Sequence, residues 1–157
     1  MADIIADGMV KVGWVTTLSS LTSPTAVQIT AGVDLESFLT PDGLGIELGD
    51  ESVSTDALNS TFSTEKAGRG TVSIELTFKD QGAANPPWTT FASRPAGYLV
   101  VRTGVATTTD WTAAQKVDIY TVKAGDRKSA APAANEVAKF SVQLFSTADP
   151  SIAATVA

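Results

Sequence analysis

The chain has 157 residues, one domain's length, with 43% apolar and 18% charged residues, fewer charges than the ~25% of an average globular protein. It contains neither Cys nor His, which excludes disulfides, thiolate nucleophiles and Cys-based zinc sites and removes the commonest general base and metal ligand. Net charge is −6 but uneven: residues 1–65 hold ten acids and one base, residues 66–157 seven acids and ten bases. Two readings fit that asymmetry. Either one sheet face is simply acidic, or the acidic part of one copy meets the basic part of the next.

Met1 to Gly8 carries Asp3 and Asp7 and no basic residue, unlike a signal peptide. No apolar run approaches the ~18 residues of a membrane span. The expectation is a protein folded in a cytoplasm, with no membrane contact.

Val10, Val12 and Trp14 alternate with Lys11 and Gly13, which predicts a strand over 10–18. Ser23-Pro24 predicts an N-cap and first helical residue, with Gly32 ending a short helix over 24–31. Residues 41–70, punctuated by Pro41 and five glycines, read as a long irregular connection, a kind of segment usually functional or flexible. Val72, Ile74, Leu76 and Phe78 alternate with polar residues, the signature of a strand with one buried and one wet face. Asn85-Pro86-Pro87-Trp88 opens a second short helix over 87–92. Tyr98 to Arg102 is nearly all apolar and predicts a central strand, and Asp110-Trp111 suggests a third helical turn. Val117 and Ile119 begin a further strand, residues 126–136 a second loop, and Phe140, Val142 and Leu144 a C-terminal strand. The sum is a mainly β fold: a single domain over 1–157, a β-sandwich or barrel with one or two short flanking helices and a long 41–70 loop.

Catalytic motifs are lacking. Gly43-Leu44-Gly45 and Gly68-Arg69-Gly70 are too short for a phosphate loop and read as turn glycines. Asp42, Glu47, Asp50 and Glu51 cluster without the spacing of a calcium loop. Asn59-Ser60-Thr61 matches a glycosylation acceptor but follows no secretion signal. There is no basic stripe for nucleic acid, and Trp14, Trp88, Trp111, Phe78 and Phe140 read as core. No catalytic, cofactor or metal residue is assigned, and the chain reads as a non-enzyme.

The order of segments resembles a known family. Val10-Lys11-Val12-Gly13-Trp14-Val15, then Pro24, Ala31-Gly32-Val33-Asp34-Leu35 and Phe38-Leu39-Thr40, are similar to the N-terminal part of siphophage major tail (tail tube) proteins, notably those of actinobacteriophages. Gly70-Thr71-Val72-Ser73-Ile74-Glu75-Leu76-Thr77-Phe78, Pro87-Trp88, Ala96-Gly97-Tyr98-Leu99-Val100-Val101-Arg102 and Lys116-Val117-Asp118-Ile119-Tyr120-Thr121-Val122 continue the series. Ala134-Asn135-Glu136, Lys139-Phe140-Ser141-Val142, Pro150 and Thr155-Val156 end it.

The resemblance implies a virion subunit, assembled in the host cytoplasm. Six copies form a ring and the rings stack into a hollow tube. Its implied partners are further copies of itself, a tape-measure protein, tail-tip and terminator proteins, and double-stranded DNA passing through unbound. Residues 41–70 then reach the neighbouring ring, with Asp42, Glu47, Asp50, Glu51, Asp56, Leu58 and Phe62 as contacts, and 147–157 is a C-terminal tail. Thr71, Ser73, Glu75 and Thr77 are expected to face the lumen, where an acidic wall repels phosphates. The alternatives are a subunit of another phage or injection-device structure, a capsid decoration protein, or a carbohydrate-binding β-sandwich with exposed aromatics.

Overall fold

The computed structural model describes residues 2–3 and 5–157. Its elements are β1 (Val10–Val15), α1 (Ala26–Thr30), β2 (Val33–Asp34), β3 (Leu39–Ser54), β4 (Glu65–Lys79), α2 (Pro86–Thr90), β5 (Ala96–Thr103), β6 (Lys116–Ser129), β7 (Lys139–Ser146) and β8 (Ser151–Thr155). The strands form one antiparallel sheet in the order β2-β1-β5-β6-β7-β4-β3, with β8 beside the start of β6. The expected mainly β architecture with two short helices is what the chain adopts.

The sheet curves over one large apolar cluster. Val12 and Trp14 of β1, Leu99 and Val101 of β5, Val122 of β6, Val142 and Leu144 of β7, and Ile74, Leu76 and Phe78 of β4 all point into it. Phe91, just past α2, closes the curve. Its ring sits 5.0 Å from Trp14 and 5.7 Å from Phe78, centroid to centroid, bridging strands far apart in the sheet order. Phe140 continues the stack, 5.3 Å from Phe78 and 5.0 Å from Trp88. Each fully buried apolar side chain of this size contributes about 1.5–3 kcal/mol.

A second cluster lies on the opposite face of the β1-β5-β6 half, where Val100, Val117 and Ile119 meet Ile29 of α1, Trp111, and Ala154 and Val156 of the C-terminus. Strand β5 is thus covered on both faces, which is why Leu99, Val100 and Val101 are all apolar. Strands β4 and β7 are covered on one face only, and they alternate.

Several expectations are corrected. The N-cap of α1 is Thr25, whose hydroxyl accepts from the Gln28 N–H. Pro24 lies before it, buried, with its carbonyl accepting from Ala157 N. Asp110-Trp111 starts no helix; the Asp110 carbonyl is taken by Arg102 and Gln115 instead. Strand β6 runs on through Asp126–Ser129, because Arg127 crosses the Trp88 ring at 3.9 Å and donates to the Trp88 carbonyl at 2.7 Å. The expected C-terminal tail, 147–157, holds β8, with Ala154 and Val156 buried.

The largest correction concerns 41–70. These residues are not irregular: they form most of β3, the turn after it and the start of β4, paired from Leu44↔Leu76 to Ser54↔Glu65 with one register break between Asp50 and Ser52. Pro41 and Gly43 fall in one register break, between Leu39 and Leu44, and Gly68 in another. At Gly43 the close approach is decisive, because a Cβ there would lie 2.3 Å from the Thr77 carbonyl oxygen. Beyond Leu48 and Val72 nearly every residue of the hairpin is exposed on both faces, so no alternating apolar signal marks the strands.

Candidate assembly surfaces

Two surfaces stand out. The first is the outward face of β4 and its neighbours. Thr71, Ser73, Glu75 and Thr77 do share that face, opposite the buried Ile74, Leu76 and Phe78. Register extends it sideways: Glu75 lies between Gly45 and Gln143, Ser73 between Glu47 and Phe145, and Thr77 beside Ser141. Lys79 pairs with Lys139, Lys128 lies opposite Ser141, and Lys123 lies opposite Phe145.

This face is therefore not the acidic wall that net charge suggested. It carries Glu47 and Glu75 against Lys79, Lys123, Lys128 and Lys139. The lysines come from three strands and are brought together only by pairing. Three of them gather at the end away from the hairpin turn, where Lys139 meets Glu136 at 3.3 Å.

The second surface is the β3–β4 hairpin. From Glu47 to its last paired residue, Ser54, it extends for 8 residues, roughly 26 Å at ~3.3 Å each. The turn is well tied: Thr55 N donates to the Thr64 carbonyl at 2.9 Å, and Thr64 N donates to Asp56 Oδ1 at 2.6 Å. That backbone donor holds the exposed Asp56 carboxyl below its ordinary pKa. Leu58 and Phe62 stand out from the turn, 108% and 80% exposed. Asp50 and Glu51 lie midway along β3 and Glu47 on the polar face. Asp42 sits at the opposite end, accepting from the Thr40 hydroxyl at 3.1 Å. The seven expected contact residues thus run the length of the hairpin and form no single patch.

Among the described residues β3 has no partner along its outer edge. A 16-residue strand with open N–H and C=O groups invites pairing with another chain, and among the described residues no other strand pairs with that edge. A groove of about 680 Å³ runs between the hairpin root, at Leu48–Asp50 and Gly70–Ser73, and the 146–150 segment.

The family model for the phage tail tube protein matches residues 1–157, the whole chain. The chain belongs to the phage tail tube protein family. It is a structural subunit of the virion tail. Solved structures share its fold at low identity. A chain of the anti-feeding prophage baseplate, six-fold symmetrised, aligns with TM-score 0.61 and 10% identity over 96% of each chain. A chain from the tail of an empty gene transfer agent particle, refined with C6 symmetry, aligns with TM-score 0.53 and 15% identity over 93% of this chain and 95% of that one. A chain from the native gene transfer agent virion aligns with TM-score 0.53 and 14% identity, over 78% and 89%. No curated protein matches in sequence.

Away from these surfaces the tail tube subunit buries charged groups. Arg102 is fully buried and donates to four acceptors: the carbonyls of Ala106, Thr109 and Asp110 and the Gln115 side chain, at 2.9–3.1 Å. Burial lowers its pKa from the ordinary value. Lys11 lies on the same Trp111 ring and reaches Asp34 at 3.6 Å. Sequence reasoning placed Arg102 in an apolar strand without assigning it a role. The available signal was a guanidinium at the end of a buried run, which must find acceptors there.

Glu36 was likewise missed. Burial, and then the nearby Asp34, push its carboxyl above the ordinary range, while its own backbone N–H and then Lys11 pull it back. Its Oε2 is buried without a hydrogen-bond partner. The tryptophans are inside: Trp14 and Trp111 are buried and Trp88 lies under Arg127, unlike a sugar-binding face. Among the described residues no group of three or more acidic side chains is placed to hold a metal ion, and no helix is long and apolar enough to cross a membrane.

Proposed function

We propose that six copies of the subunit close into a ring, that rings stack into a hollow tube, and that double-stranded DNA passes through it without specific binding or catalysis. The observation that carries this is the exposed β3–β4 hairpin with its open edge. An isolated two-stranded hairpin is marginal in water, and a long open edge is an aggregation hazard. Both features make sense if neighbouring copies cover them. The six-fold symmetry named for the anti-feeding prophage baseplate and the gene transfer agent tail supports a ring of six.

In this reading the face of Thr71, Ser73, Glu75 and Thr77 lines the lumen and residues 41–70 make the contact between rings. The wall is banded, with lysines towards one end and glutamates nearer the hairpin. A tape-measure protein and tail-tip and terminator proteins are the further partners. Negative-stain electron microscopy of the purified protein across a concentration series tests the assembly. Hollow tubes or six-fold rings are expected; monomers at every concentration would overturn unaided assembly.

A further inference from the structure

The hairpin turn presents two apolar side chains, Leu58 and Phe62, that nothing in their own subunit covers. At the other end of the same hairpin lies a cleft of about 650 Å³. Val10, Val12, Leu39, Pro41 and Leu44 give it apolar walls, and Glu36 stands among them. The turn cannot reach the cleft of its own chain, because the hairpin is a paired ladder from Leu44 to Ser54, roughly 35 Å long at ~3.3 Å per residue and pointing away from it. A copy displaced along the hairpin axis by about that length brings its cleft to the turn. Such a contact is head-to-tail and does not close on itself, so it propagates into a filament.

We propose that the 57–63 turn of one subunit seats Leu58 and Phe62 in the Glu36 cleft of a subunit in the next ring. This rests on the stacking reading above and names the surface that receives the hairpin. Glu36 and Ser37 line the cleft, and the turn brings the Asn59 amide and the Ser60 and Thr61 hydroxyls as donors for acceptors at its rim. Asp7 and Glu36 make that side of the cleft acidic, with Lys79 the opposing cation among its lining residues. Lys66 follows the turn, but with Asp56 and Glu65 beside it the tip is itself acidic, so the apolar pair and not net charge favours the contact.

The chain has no cysteine, so paired cysteines report the contact directly. Asn59→Cys in the turn and Ser37→Cys beside Glu36 are both at exposed positions. Assembled tubes of the double variant are oxidised and run on a non-reducing gel. The expected result is a ladder of covalent multimers at least ten-fold stronger than in either single variant. Leu58→Cys replaces Asn59→Cys if the first pair fails to assemble. Tubes that form without a ladder would overturn the proposal and leave stacking intact. A ladder from Asn59→Cys with Ala148→Cys would overturn it too, by placing the turn in the other groove. If the unmodified chain forms neither rings nor tubes, stacking and this contact fall together.

Discussion

Arg102 holds its guanidinium 5.0 Å from the centre of the Trp111 ring with no exposure to solvent. Trp111 in turn donates its indole N–H to Asp34 Oδ1 at 3.2 Å. The pair ties the 104–115 connection to β5 and through Asp34 to the β1–β2 edge. The connection has no regular structure of its own, and three of its carbonyls, those of Ala106, Thr109 and Asp110, accept from this one side chain.

Replacing Arg102 with Met removes its four donated bonds: the Asp110 carbonyl keeps Gln115 and the Ala106 carbonyl keeps the Thr109 N–H, while the Thr109 carbonyl loses its partner. The expected loss is about 3–5 kcal/mol of unfolding free energy, measured by urea denaturation. Arg102→Lys, with charge but no planar fork, falls between Met and wild type. A loss under about 1 kcal/mol for Met would show that the connection is held by other contacts.

Glu36 sets a pH dependence. Its folded pKa lies above the unfolded value of 4.5, so the folded state binds more protons between the two values. Stability therefore falls as pH rises through that window and is lowest once the carboxyl is ionised in both states. Glu36→Gln is expected to raise the melting temperature of the subunit at pH 7. The advantage should shrink as pH drops towards 4.5. An equal difference at both pH values would rule out ionisation as the cause.

Gly32 tests backbone approach. A Cβ there would lie 2.3 Å from the Trp14 carbonyl oxygen, and that backbone is fixed by pairing with β2 and β5. Gly32→Ala is expected to cost about 1–3 kcal/mol. Gly70→Ala, whose nearest neighbour is 3.7 Å away, should stay within about 0.5 kcal/mol of wild type.

Leu58→Ser with Phe62→Ser separates folding from assembly. Both side chains are exposed in the subunit, so thermal unfolding of the monomer should move by no more than about 0.5 kcal/mol per site. Tube yield by electron microscopy should collapse. Normal tubes would remove the turn from the ring-to-ring contact.

Glu75→Lys probes the lumen. It adds a cation to a face that already carries four lysines, so particles built from it should eject DNA more slowly, and more so at low salt. An ejection rate equal to wild type would place that face elsewhere.

Much of the fold was legible in the residues. Ile74, Leu76 and Phe78 alternate because β4 is covered on one side, and the run at Leu99–Val101 is continuous because β5 is covered on both. The hairpin arms were not legible, because strands exposed on both faces carry no apolar period. The β8 strand was hidden similarly: its inner contacts are Ala154 and the residue beyond its end, Val156, too few to show a pattern.

Residue order alone establishes a β domain with one-sided and two-sided strands, an uneven charge, and none of the chemistry that Cys or His would supply. These are local or compositional facts, and side-chain period reports whether a face is covered. It does not report what covers it. Sheet order and register are relations between segments distant in the chain. The convergence of Lys79, Lys123, Lys128 and Lys139 on one face, the acceptors around Arg102, and the cleft at the foot of the hairpin therefore come from the folded structure.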